Sequence, residues 1–93
     1  MDTEKLIEKT LNKEVERLGG WSLKLPCVYV AGLPDRLVLL PGGVLFFAEI
    51  KSTGKKPNPV QTLIHKRLRG LGFNVYVIDT LEGLYKILND YLI

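Results

Sequence analysis

Apolar positions along the chain switch between helical and extended spacing. Ile7, Leu11, Val15 and Leu18 recur at steps of four, four and three, so the spacing predicts a helix over residues 3–18, stopped by Gly19 and Gly20. Trp21, Leu23 and Leu25 then alternate with Ser22 and Lys24, the two-residue period of a strand, and extended character resumes from Cys27 to Val30 after the interruption at Pro26. Beyond Gly32-Leu33-Pro34, residues 36–40 predict a second strand, Pro41-Gly42-Gly43 a tight turn and residues 44–51 a third strand, the last two pairing as a hairpin.

Residues 52–59 read as a loop in which Asn58 is placed to cap a helix and Pro59 to open it. That helix runs to about Leu71, with Val60, Ile64, Leu68 and Leu71 as its apolar stripe and Gly70 and Gly72 as its exit. Residues 73–78 predict another strand, and Asp79 with Glu82 a capping box for a last helix carrying Leu81, Leu84, Tyr85, Leu88 and Leu92. The order is α-β-β-β-α-β-α. An antiparallel hairpin followed by a parallel crossover makes this an α/β fold, a central mixed β-sheet flanked by helices. Trp21, Phe46 and Phe47 are assigned to its core.

Composition narrows the class. A length of 93 residues without internal repeats suggests a single domain over residues 1–93, and 46% apolar residues argue for a packed core. One cysteine, Cys27, allows neither an internal disulfide nor a multi-cysteine zinc site, which fits a reducing, intracellular setting. No apolar run reaches membrane-spanning length, and the polar start from Met1 to Lys5 is unlike a signal peptide, so no membrane role is expected. Thirteen Lys and Arg against ten Asp and Glu give a net +3, too mild to indicate nucleic-acid binding alone. The distribution says more. No acid lies between Glu49 and Asp79, a stretch holding Lys51, Lys55, Lys56, Lys66, Arg67 and Arg69, whereas the first sixteen residues hold five acids. Such a basic stretch suits contacts with a phosphate backbone that do not read bases, which makes DNA the expected partner.

The candidate chemistry lies on the third strand. Glu49 and Lys51 are two residues apart and so emerge on one face, while Ala48 and Ile50 point the other way. Asp35 lies six residues before Pro41 and Glu49 six after Gly43, so a hairpin closed at that turn brings the two carboxylates to the same end. Two adjacent carboxylates with no His or Cys companions form a hard-oxygen site suited to Mg²⁺ or Mn²⁺, to which the Ile50 backbone carbonyl could add a ligand. Lys51 could then stabilise charge developing on a phosphate.

Gly32-Leu33-Pro34-Asp35, Glu49-Ile50-Lys51 and Gln61 at a helix start resemble the PD-(D/E)XK nuclease superfamily. More narrowly, Gly19-Gly20, Pro34-Asp35-Arg36-Leu37, Glu49-Ile50-Lys51-Ser52, Pro59-x-Gln61-x-x-x-His65 and Gly72-Phe73-x-Val75 are similar to the VRR-NUC family over nearly the whole chain. The resemblance implies a restriction-endonuclease-like core, with Asp35, Glu49 and the Ile50 carbonyl as metal ligands, Lys51 as the catalytic lysine and Gln61 supporting it. It also implies a glutamate on the first helix, for which Glu8 is preferred and Glu4 is the rival; the helical wheel leaves both open. Members consisting of this domain alone are similar to phage and archaeal Holliday junction resolvases that act as homodimers. The expectation is therefore an Mg²⁺- or Mn²⁺-dependent endonuclease for branched DNA, homodimeric, with a bacterial, archaeal or phage origin. A nicking or flap-type nuclease, or a DNA-binding module with an unproductive site, remains the alternative. Lys55, Lys56, Lys66, Arg67 and Arg69 are the expected DNA contacts. His65, one turn after Gln61, is counted with them and reads as a partly exposed helix residue or a phosphate contact rather than a base.

Overall fold

The computed structural model describes residues 1–26, 28 and 30–92. Its elements are α1 (Glu4–Arg17), β1 (Trp21–Lys24), β2 (Arg36–Leu40), β3 (Val44–Ile50), α2 (Pro59–Gly70), β4 (Val75–Ile78) and α3 (Leu81–Asp90), in the order the sequence predicts. They form one four-stranded sheet, β1-β2-β3-β4, with β1, β2 and β3 antiparallel and β4 parallel to β3. Of the predicted extended stretch after Pro26, Cys27 and Tyr29 lie outside the described residues, and Val28 and Val30 sit exposed in turn-like backbone. The first strand therefore ends at Lys24, with one further ladder bond from the Leu25 amide to the Asp35 carbonyl at 2.8 Å.

β3 lies between β2 and β4, which accounts for its nearly unbroken apolar run. One face of the sheet packs Val38, Leu40, Phe46, Ala48, Ile50 and Ile78 against Ile7, Leu11 and Val15 of α1 and Leu84 and Leu88 of α3. The alternate β3 positions, Phe47 and Glu49 among them, point to the other face, where α2 lies. The hairpin closes on the Leu40–Val44 pair through Pro41-Gly42-Gly43, with φ of +87° and +77° at the two glycines, a conformation that disfavours any residue bearing a Cβ.

Three expectations are corrected. Trp21 is 64% exposed, because it pairs with Leu39 on an edge strand and so lies on the face away from the core residues Val38 and Leu40; it is not core. In α2 the stripe is rotated: Val60 and Leu71 are 50% and 69% exposed, while Ile64 and Leu68 are half-buried and His65 is buried. The cap of α3 is Thr80, whose hydroxyl accepts from the Gly83 amide at 2.9 Å, and Asp79 instead accepts from the Gly54 amide at 3.1 Å.

Candidate active site

The ladder register pairs Arg36 with Ala48, so Asp35, one residue before β2, comes opposite Glu49 near the end of β3. Asp35 is anchored there by accepting a 2.6 Å bond from the Ile50 amide through its Oδ2. The loop that delivers it is fixed by Gly32, with φ +85°, where a Cβ would come within 2.9 Å of Val60 Cγ1 and of the Val60 carbonyl oxygen. Only a glycine lets this loop lie against the first turn of α2.

Glu49 is 1% exposed, and both its oxygens are engaged from α2. Gln61 Nε2 donates to Oε2 at 3.3 Å, and His65 Nε2 stands 3.2 Å from Oε1. Gln61 and His65 are one helical turn apart, so one face of α2 presents both nitrogens to the same carboxylate. The Gln61 side chain is itself steadied, because its Oε1 accepts from the Asn58 amide at 3.0 Å while Asn58 Oδ1 accepts from the Gln61 amide at 2.8 Å, a reciprocal capping box. Two expectations are revised by this arrangement. Gln61 meets Glu49 rather than Lys51, and His65, 2% exposed, is no surface phosphate contact.

Electrostatics mark the same place. Burial, then the hydrogen bond and the charge of neighbouring Asp35, push the Glu49 carboxyl up to about 8, with Glu4 adding to the rise and Lys51 opposing it. Burial, with the nearby charges of Arg69 and Lys51, holds the His65 imidazole below its ordinary value, against an opposing pull from Asp35.

Beside Asp35 opens a pocket of about 290 Å³ lined by Glu4, Lys5, Glu8, Lys24, Asp35 and Ile50. Both first-helix candidates thus wall it. Glu8 is held by Arg36 at 3.0 Å, whereas Glu4 is the glutamate of α1 whose charge bears on Glu49. Lys5 and Lys24 were not singled out from sequence; Lys24 lies at the β1 end whose pairing with Arg36 brings it beside Asp35. Among the described residues no group of three or more His, Cys, Asp or Glu side chains is placed to hold a metal ion by itself. Two carboxylates crowded enough to disfavour joint ionisation do fit a hard divalent cation, since Mg²⁺ commonly takes one or two carboxylates and fills its remaining positions with water and substrate phosphate.

Lys55, Lys56, Lys66 and Arg67 are exposed on the β3–α2 loop and on α2. Arg69, also on α2, turns back to donate from Nη2 to the Val75 carbonyl at 2.6 Å, so it braces the start of β4.

No protein-family model matches the chain. A solved structure described as a VRR_NUC domain superposes with a TM-score of 0.88 at 36% identity, covering 97% of this chain and 99% of that one. The chain belongs to the VRR-NUC family. A protein of Acyrthosiphon pisum secondary endosymbiont phage 1, named "Putative nuclease p44", is 46% identical over 74 residues, 80% of each chain. The mixed sheet with Asp35 and Glu49 paired at one end is thus a VRR-NUC fold, as the motifs indicated. No helix among the described residues is long and apolar enough to cross a membrane.

Proposed function

We propose that this VRR-NUC protein is a divalent-metal-dependent endonuclease that hydrolyses phosphodiester bonds in DNA, with branched DNA as its substrate. The observation that carries the reading is the junction of Asp35 and Glu49 at one sheet end, with Lys51 two residues further on and beside them in charge. The name of the phage relative supports nuclease chemistry. Asp35, Glu49 and the Ile50 carbonyl would hold Mg²⁺ or Mn²⁺, with Glu4 or Glu8 reaching the ion from α1. Bound there, the cation would supply positive charge for the scissile phosphate and lower the pKa of water.

The chain's own residues do the rest. Lys51 places an ammonium on the face of Glu49, where it offsets negative charge accumulating on the phosphoryl oxygens. Water attacks phosphorus and gives up a proton, the ester P–O bond breaks, and the departing oxygen takes a proton up. Gln61 keeps Glu49 from turning away. Lys55, Lys56, Lys66 and Arg67 meet the DNA backbone.

Cutting two strands of a junction supports a homodimer, since a body of 33 × 31 × 22 Å carries one such pair of carboxylates among the described residues. Exposed Trp21, Leu63 and Leu71 supply apolar surface for self-association. The test is a panel of four-way junction, flap, nicked duplex and single strand, each with Mg²⁺, with Mn²⁺ and with chelator. Preferential, metal-dependent junction cutting that disappears in Asp35→Asn and Glu49→Gln is expected. Cutting of flaps or nicks in preference would move the substrate assignment, and binding without cutting would make the chain a DNA-binding module. Sedimentation should give twice the chain mass.

A further inference from the structure

The residue whose setting differs most from its sequence pattern is His65. It is the buried side chain of α2, and its ring nitrogen meets the one buried carboxylate among the described residues. A histidine kept inside merely to fill space is costly, because its polar ring must be desolvated and partnered where leucine would need neither. Its contact is also specific. Glu49 has three rotatable side-chain bonds, and a single donor from Gln61 at 3.3 Å leaves the carboxylate free to swing about that contact. A second nitrogen on the other oxygen, at 3.2 Å, fixes the plane of the group beside neighbouring Asp35.

We infer that His65 is a positioning residue that, together with Gln61, clamps the Glu49 carboxylate in the orientation needed to receive a divalent cation. The inference rests on the reading of Asp35 and Glu49 as a metal centre and adds to it a supporting contact from α2. His65 touches neither the phosphate nor the cation in this arrangement, and acts through Glu49 alone. Contacts of this outer kind orient a ligand and typically contribute one to two orders of magnitude in metal affinity.

The test compares His65→Gln with His65→Asn in the full chain. Both are polar and remove the ring. The glutamine amide nitrogen reaches the place of Nε2, whereas that of asparagine, one methylene shorter, does not. Mn²⁺ alone is titrated by calorimetry into each protein, with circular dichroism and thermal unfolding recorded without metal. The expected result is Mn²⁺ affinity within about threefold of the parent for His65→Gln and weakened about tenfold or more for His65→Asn, at similar melting temperatures. Junction cutting at limiting Mn²⁺ should follow the same order, and the difference should close at saturating Mn²⁺. Equal Mn²⁺ affinity in the two variants, or failure of both to fold, overturns the positioning role and leaves His65 structural. Absence of Mn²⁺ binding in the parent, or undiminished binding in Glu49→Gln, would instead fell the metal-centre reading and the clamp with it.

Discussion

Glu4 and Glu8 stand one helical turn apart on α1 and wall the same pocket, yet their surroundings assign them different work. Glu8 is engaged with Arg36 at 3.0 Å, a partly buried ion pair still open to solvent on the Glu8 side, of a kind that contributes about 0–1 kcal/mol. Glu4 carries no such partner among the contacts of the described residues, and its charge already acts on Glu49. Glu4→Gln should therefore cut DNA cleavage by at least about tenfold with little change in melting temperature, since the residue is exposed at the helix start. Glu8→Gln should retain most cleavage and lose less than about 1 kcal/mol of stability in urea titration. The reverse ranking would return the first-helix role to Glu8. Periodicity could not rank the two, because a wheel gives direction around a helix and not the partner waiting there. The same limit hid His65. Its spacing from Gln61 was legible, but its burial depends on Glu49, sixteen positions away on another element, and no local pattern announces that.

At the level of elements, the hairpin and the start of α2 were the most legible because short-range rules decide them. Equal counts on either side of Pro41-Gly42-Gly43 fix the register that sets Asp35 across from Glu49, and Asn58-Pro59 opens α2 as expected. The cap of α3 was misplaced by one residue because two polar side chains compete for it and a tertiary contact decides. Asp79 is drawn to the Gly54 amide, in a loop also tied to the N-terminus, where Thr53 Oγ1 accepts from the Asp2 amide at 2.8 Å and donates to the Asp79 carbonyl at 2.8 Å. Thr80→Ala should consequently destabilise the protein by about 1 kcal/mol, the usual loss of an N-cap, and Asp79→Ala by roughly half as much through an exposed bond. Equal losses, or a larger one at Asp79, in chemical denaturation would restore the capping role to Asp79. On β4 and just beyond α3, the Tyr76 and Tyr91 hydroxyls lie 2.6 Å apart. Burial and that hydrogen bond push the Tyr76 phenol up to about 12 from an ordinary value of 10.0. The folded state thus holds this proton more tightly than the unfolded chain. The stability it confers is complete below pH 10 and falls as pH rises toward about 12. Urea midpoints of parent and Tyr76→Phe between pH 9 and 11.5 should show a steeper alkaline decline in the parent; parallel declines would contradict the pairing.

Across the whole molecule, charge has a direction that a net of +3 conceals. The acid-free stretch from Ile50 to Ile78 carries six of the thirteen Lys and Arg, and it folds as a loop, the helix α2 on the side of the sheet where Glu49 emerges, and the edge strand β4. Lys5 and Lys24 add positive charge around the acidic pocket from α1 and β1. A polyanion is thereby drawn toward the carboxylates, which by themselves would repel it. The six are not equivalent. Lys66 and Arg67 are exposed on α2 and free to release counterions on meeting phosphate, whereas Arg69 is committed to the Val75 carbonyl at 2.6 Å. With metal removed by chelator so that no cutting occurs, junction affinity measured across a salt series should fall log-linearly. Lys66→Gln and Arg67→Gln should each flatten that slope by about one unit and weaken all DNA structures alike. Lys86→Gln, exposed on α3 against the opposite face of the sheet, should leave the slope unchanged. Arg69→Gln should register first as a lower melting temperature, a loss of about 1–3 kcal/mol for a charged donor removed from a carbonyl. If Lys86 governs the slope and Lys66 and Arg67 do not, the DNA lies on the face covered by α1 and α3, and the basic stretch is a solvated surface with no part in binding.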